Sequence, residues 1–220
     1  MLEELLIAAV LSLAAGAVYG FFESLWGSPS NHQELPASLT AEMSDYDKEM
    51  ADRSRELIRE CFCRDGNNVM DSVRQMNADE RLEAARDFSD RLARLNGLDH
   101  IKTSFFQDDN IANCGGYHDG TKTVFLNIRE LMWDGDDEAF ESGISNFIDT
   151  IVHEQRHAVQ WRAIREKGFW HVEDARRMQW ANNYLPQNYI VPSVDIRGYR
   201  MQPVEKDAFT YAAMVLRGVE

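Results

Sequence analysis

The chain has 220 residues, 44% of them hydrophobic and 10% aromatic, with a formal net charge of −14. That length and composition can bury a real core and exclude general disorder, while the acidity excludes nucleic acid as a natural partner, because phosphates would be repelled. Three cysteines, Cys61, Cys63 and Cys114, are an odd set that makes no disulfide framework and fits a reducing compartment.

Residues 1–36 form a first unit that differs from the rest. Leu5 to Phe22 is an uncharged apolar run of about the length a membrane helix requires. It is diluted by alanine, Gly16 and Gly20, and no Lys or Arg appears before Lys48, so it lacks the basic flank of a secretory signal or an oriented span. Three readings stand: a weak membrane-inserting segment, an amphipathic or core helix, and the apolar end of a region belonging to a longer chain. Residues 28–36, with Pro29, Asn31 and Pro36, read as a linker.

Residues 37–77 form a helical unit that packs on the C-terminal unit, residues 78–220. Ser38 to Glu42 offers caps for a long charged helix ending near Arg64-Asp65-Gly66, with Met50, Leu57, Ile58 and Cys61 on one face. Cys61 and Cys63 are too close for a CxxC metal spacing and read as core or buried thiols. A shorter helix covers Asn68 to Met76. The C-terminal unit opens at Asn77 with a helix striped by Leu82, Ala85, Phe88, Leu92 and Leu95, which Gly97 ends. Ile101 to Gln107 is β-prone, 108–114 is loop with Cys114 in a turn, and Gly115 to Asn127 reads as a hairpin turning at Asp119-Gly120. After an acidic stretch, Asp137 caps a helix that Gly143 breaks, and Ser145 or Asn146 starts the next. Helical pattern returns at 172–182, residues 186–198 are irregular, and a last helix runs from Pro203 to Arg217. The class expected is α+β, predominantly helical, with a small sheet edging a cleft.

The chemistry concentrates in His153-Glu154-Gln155-Arg156-His157. Two histidines four apart on a helix present both imidazoles on one face, where they can grip a single metal ion. Glu154 then faces the open coordination position as a general base. Phe147, Ile148, Ile151 and Val152 before the motif, and Ala158, Val159 and Trp161 after it, give the helix the packing that rigid ligands need. A zinc site needs a third protein ligand. His157 is followed by Ala158-Val159-Gln160, which excludes the metzincin extension. Glu205, in the first turn of a helix opened by Pro203, is the leading candidate, with Glu166, Glu173 and Asp174 as competitors. For stabilising an oxyanion, Tyr199 and His171 lead, with Tyr184 and Tyr189 also between the ligand helices. His118 on the hairpin and Asp149, one turn before His153, are further candidates for the cleft.

HExRHAxQ followed by QPxExDAxxYA resembles gluzincin-type peptidases. More narrowly, it resembles small bacterial and phage-related metallopeptidase domains, the anti-repressor and polymorphic-toxin peptidases among them. The resemblance covers residues 78–218 and includes Gly116-Tyr117 and Val124 to Asn127. It implies that His153, His157 and Glu205 bind one zinc ion and that Glu154 is the general base. It also implies that Gly116 and Tyr117 border the cleft, where an extended substrate can add as a strand. The chain departs from the usual pattern at one place. The aspartate expected four residues after the ligand glutamate is Phe209, and Asp207 lies only two residues on, on a different helical face.

The expected reaction is hydrolysis of a protein substrate by zinc-activated water. An apolar N-terminus before a C-terminal peptidase resembles the layout of bacterial toxins or effectors, which would imply a cognate immunity or inhibitor protein. The alternatives are a regulatory protease cleaving a repressor in its own cell, and an inactive peptidase-fold binding module, tethered to a membrane through residues 5–22. The expected site of action is cytoplasmic, with delivery as a secreted effector or membrane association as the other options.

Overall fold

The computed structural model describes residues 41–108, 115–132 and 137–219. The apolar run 5–22, the linker at 28–36, the caps expected at 38–40 and Cys114 lie outside them. Among the described residues the chain forms seven α-helices and one three-stranded sheet, the predominantly helical α+β class expected from the sequence. No helix among them is long and apolar enough to cross a membrane.

Helix α1 (Asp45–Phe62) starts later than the sequence pattern implies, because Ser44 and Asp47 form a reciprocal capping box there. It buries Met50, Ala51, Leu57, Ile58 and Phe62. Cys61 and Cys63 correct the expectation of core thiols, since both are free and only half-buried. Burial and a hydrogen bond to Asp87 push the Cys61 thiol up to about 12. Helix α2 (Val69–Gln75) is capped by Asn68, and α3 (Ala78–Leu95) by an Asn77/Glu80 capping box. Gly97, at φ 68°, closes α3. Gly97 N–H donates to the Arg94 carbonyl and Leu98 N–H to the Ala93 carbonyl, the paired bonds of a Schellman ending.

Strands β1 (Lys102–Phe106), β2 (Gly115–His118) and β3 (Thr123–Asn127) order as β1-β3-β2. β3 is central, parallel to β1 and antiparallel to β2. The hairpin turn is wider than an Asp119-Gly120 pair. It runs to Lys122, which takes φ 54° and bonds back to the Asp119 carbonyl. Asp119 also pairs with Lys122 and with Arg165, tying the turn to the end of the following helix.

That helix, α4 (Asp137–Arg165), is continuous, so Gly143 does not break it. The 29 residues span about 43 Å at 1.5 Å each. Packing explains why glycine is tolerated. A Cβ on Gly143 would lie 3.3 Å from the Glu130 Cβ, so its absence admits the turn after β3. Phe140, Ile144, Phe147, Ile148 and Ile151 hold the helix on the core whatever its local propensity. A short 3-10 turn (Phe169–His171) follows, then α5 (Asp174–Asn183), α6 (Ile196–Met201), which begins within the last residues of the stretch expected to be irregular, and α7 (Pro203–Leu216).

One core joins α1, α3, β3, α4 and α7, and a smaller one at Ala163, Trp180 and Val204 seats α5. Helix α1 also caps α7. Arg55 donates to the Val215 and Met214 carbonyls, and Arg59 to that of Gly218, placing cations where the helix leaves unpaired acceptors.

Strand β2 approaches α4 so closely that a Cβ on Gly115 would lie 2.6 Å from Thr150 Cγ2 and 2.9 Å from the Phe125 carbonyl oxygen. Nothing lies within 4 Å of a Cβ on Gly116. Gly115→Ala should therefore destabilise the fold by about 1–3 kcal/mol, and Gly116→Ala by under about 1 kcal/mol. Urea denaturation of the two variants checks the contrast.

Candidate metal centre

Helix α4 brings His153 and His157 one turn apart, with their Nε2 atoms 3.1 Å from each other. Helix α7 starts at Pro203, whose missing N–H costs nothing at that position, and its first turn points Glu205 at the pair. Glu205 Oε2 lies 3.3 Å from His153 Nε2 and 3.4 Å from His157 Nε2. All three residues are buried, and the Glu205 side chain is 1% exposed. This group could hold a metal ion.

The residues fit such an ion. Bonds of about 2.0–2.1 Å in a tetrahedral arrangement keep ligand atoms about 3.3 Å apart, which is the spacing of these three. Glu205 Oε2, the oxygen facing both imidazoles, is buried without a hydrogen bond, while Oε1 accepts one from the Tyr189 hydroxyl at 2.8 Å. Burial disfavours the carboxylate, yet the two histidines hold it well below the usual carboxylate range. Burial likewise disfavours a His157 cation, but Glu205 outweighs it and, with Glu154 and Gln160 adding, the ring is pushed up to about 9. A cation at this spot would take over the role that proton plays.

His157 is oriented by Gln160. Gln160 Nε2 donates to the Val204 carbonyl and to Asp207 Oδ2, both at 2.8 Å. Its Oε1 is thereby turned to accept from His157 Nδ1 at 2.9 Å and from the Tyr184 hydroxyl at 2.6 Å. With the proton on Nδ1, the Nε2 lone pair faces the centre. His153 has no such support. Its Nδ1 is buried and unpartnered, and its ring lies 4.5 Å from that of Phe209. Asp149 thus gives His153 no hydrogen bond.

Behind Gln160 sits a buried ionic network. Asp207 accepts from Arg156 Nε at 2.8 Å and Nη2 at 3.1 Å, and from Arg176. Arg156 Nη2 also pairs with Asp47 Oδ1 at 2.8 Å, and Arg176 Nη1 with Asp47 Oδ2 at 3.1 Å. The Trp170 indole N–H donates to Asp47 Oδ1 at 2.8 Å. Two carboxylates and two guanidiniums thus cancel in formal charge. The Asp207 carboxylate, on a face away from the ligands, reaches His157 through Gln160.

Glu154 is half-buried beside the centre and has no hydrogen bond or ion pair among the described residues. Its charge, after burial and Glu205, helps raise the hydroxyls of Tyr189 and Tyr199. Tyr199 packs its ring edge-on at 6.4 Å against Tyr189, whose hydroxyl bonds Glu205. Tyr184 stacks on Trp161 at 4.3 Å and on Tyr189 at 6.2 Å. His171 is not at the centre; it is exposed and stacks edge-on against Tyr46 of α1 at 4.8 Å. Among the competing ligands, Glu166 pairs with Arg162 and Asp174 with Lys167 and Arg177, while Glu173 is the exposed N-cap residue of α5. His118 is engaged with Thr121 in the hairpin turn. Tyr117 hydrogen-bonds Asp119, and the outer edge of β2, with Gly116, is unpaired among the described residues. Asp47 and Arg176 were missed by sequence reasoning. Gln160 stands beside the motif in sequence, but spacing alone gives it no role.

No family model, no curated protein and no solved structure matches the chain.

Asp47 is 1% exposed, and its carboxyl is lowered from 3.8; burial opposes this, but Arg156, Trp170 and Arg176 outweigh it. A depressed folded pKa contributes stability that is complete above the unfolded value and is lost as pH falls toward the folded one. Asp47→Asn, which leaves two guanidiniums sharing the single Asp207 carboxylate, should cost about 3–5 kcal/mol at pH 7. That cost should shrink once the pH drops below about 3.8. Urea denaturation of both proteins between pH 7 and pH 3 checks the sign.

Proposed function

We propose that the chain is a zinc-dependent endopeptidase of the gluzincin-like kind, with His153, His157 and Glu205 as ligands and Glu154 as general base. The observation that carries this reading is the orphaned Glu205 Oε2 held 3.3–3.4 Å from two imidazole Nε2 atoms, beside an unpaired glutamate. Two neutral imidazoles and one carboxylate, leaving a fourth position open, are a donor set that suits catalytic zinc.

Bound zinc supplies a Lewis acid for the scissile carbonyl and lowers the pKa of water. Glu154 accepts the proton of the attacking water as its oxygen bonds to the carbonyl carbon, and delivers that proton to the leaving amine nitrogen as the C–N bond breaks. Burial and Glu205 keep the hydroxyls of Tyr189 and Tyr199 protonated far above neutral pH. The Tyr189 proton is committed to Glu205 Oε1, so Tyr199 is the donor for the developing oxyanion. The unpaired edge of β2, beside α4 one turn before His153, is where an extended substrate backbone finds N–H and C=O partners. Gly116, with open space where its side chain would be, lets that backbone come close.

The substrate is a protein. An effector, with a cognate inhibitor protein covering the cleft, is the biological setting we favour, on the uncharged apolar run at 5–22.

The purified protein is expected to carry one zinc per chain by elemental analysis. Glu154→Gln should keep that zinc and lose about 10²–10⁴-fold in hydrolysis, while Glu205→Ala should lose the metal. Mapping new protein termini in cells expressing wild type or Glu154→Gln reads the activity without a known substrate. A metal-free wild type, or identical termini in the two strains, would overturn the assignment.

A further inference from the structure

The metal centre leans on a residue far outside the HExxH helix. His157 Nδ1 bonds Gln160 Oε1, and the Gln160 amide can present that oxygen only while its Nε2 is held by Val204 O and Asp207 Oδ2. Asp207 is in turn fixed by Arg156 and Arg176, and both guanidiniums are gripped from the other side by Asp47. Asp47 itself is immobilised as the capping-box residue of α1, accepting from the Ser44 N–H and hydroxyl at 2.9 and 2.8 Å and from the Trp170 indole. Every link is a charged or amide side chain buried in the fold or in contact with one that is.

We propose that Gln160 is a positioning residue that selects the metal-binding tautomer of His157, and that Asp47, through Arg156, Arg176 and Asp207, positions Gln160. The proposal rests on the metal reading of His153, His157 and Glu205. It assigns the start of α1, more than one hundred residues before the motif, to the support of the centre. Without the Asp207 acceptor only the Val204 carbonyl holds Gln160 Nε2, so Oε1 is presented less firmly to His157 Nδ1 and the ring proton is freer to move to Nε2 and block the ion. Supports of this kind typically govern about 10–100-fold in metal affinity.

The test is a zinc titration in competition with a chelator, on wild type, Gln160→Met, Asp47→Asn and the double variant, with thermal unfolding of each metal-free protein alongside. Gln160→Met keeps the side-chain length and removes no charge, but it takes a donor from the buried Val204 carbonyl and Asp207 Oδ2, so its unfolding temperature falls too. We expect it to weaken zinc binding about 10–100-fold at a temperature where the metal-free variant is still folded. Asp47→Asn should weaken binding as well, and the double variant should bind no more weakly than Gln160→Met, because both changes act through the same amide. If Gln160→Met binds zinc like wild type, the tautomer role is wrong. If Asp47→Asn lowers the unfolding temperature but leaves zinc affinity unchanged, Asp47 serves only the fold and the relay is wrong. A wild type that takes up no zinc sinks the metal reading, and the positioning role with it.

Discussion

A carboxylate buried as fully as that of Glu205 is tolerated only with a compensating positive charge close by. Two imidazoles and a tyrosine hydroxyl are what this chain supplies, and the imidazoles face the same oxygen. The arrangement cannot be assembled from one element. Helix α4 must bring two histidines into register, and α7 must begin where its first turn meets them. The remaining architecture serves to keep those two helices at that distance.

The placement of the charges shows how. Arg156 lies between the two ligand histidines in sequence and turns to the opposite face of α4, into the core. There three rings surround its guanidinium, with Tyr211 nearest at 4.6 Å. Asp207 on α7 and Asp47 on α1 meet it from two sides. One residue of the motif therefore clamps α4 to both of its neighbouring helices, while the two histidines beside it face the centre. A hydrophobic contact could supply the same attraction between helices, but not the same register. A bidentate guanidinium–carboxylate pair tolerates little sliding.

Much of this was legible in the sequence. The periodicity that put His153 and His157 on one face, and the Pro203 start that put Glu205 in a first turn, are local properties of helices, and both helices formed where expected. Gly143 misled because helix propensity is a weak local term. Close packing against Glu130 favours a glycine there, and the core kept the helix whole. His171 misled for a related reason. Its place between the ligand helices in sequence brought it near, but the left-handed backbone of Trp170 and His171 sends it to Tyr46 instead. The Asp47–Arg156–Asp207 network could not be read in advance, because its members are 109 and 51 residues apart and nothing in the pattern of one names another.

The two histidines are held by unlike means. Gln160 gives His157 a polar partner that sets its ring angle and its proton. Across the centre, Phe209 offers His153 a ring face and no hydrogen-bond acceptor. Packing can fix the plane of His153, but only a hydrogen bond fixes which nitrogen carries the proton, and its Nδ1 has none. One imidazole is oriented by the protein's own hydrogen bonds, and the other is left to be completed by an ion of the kind this group could hold.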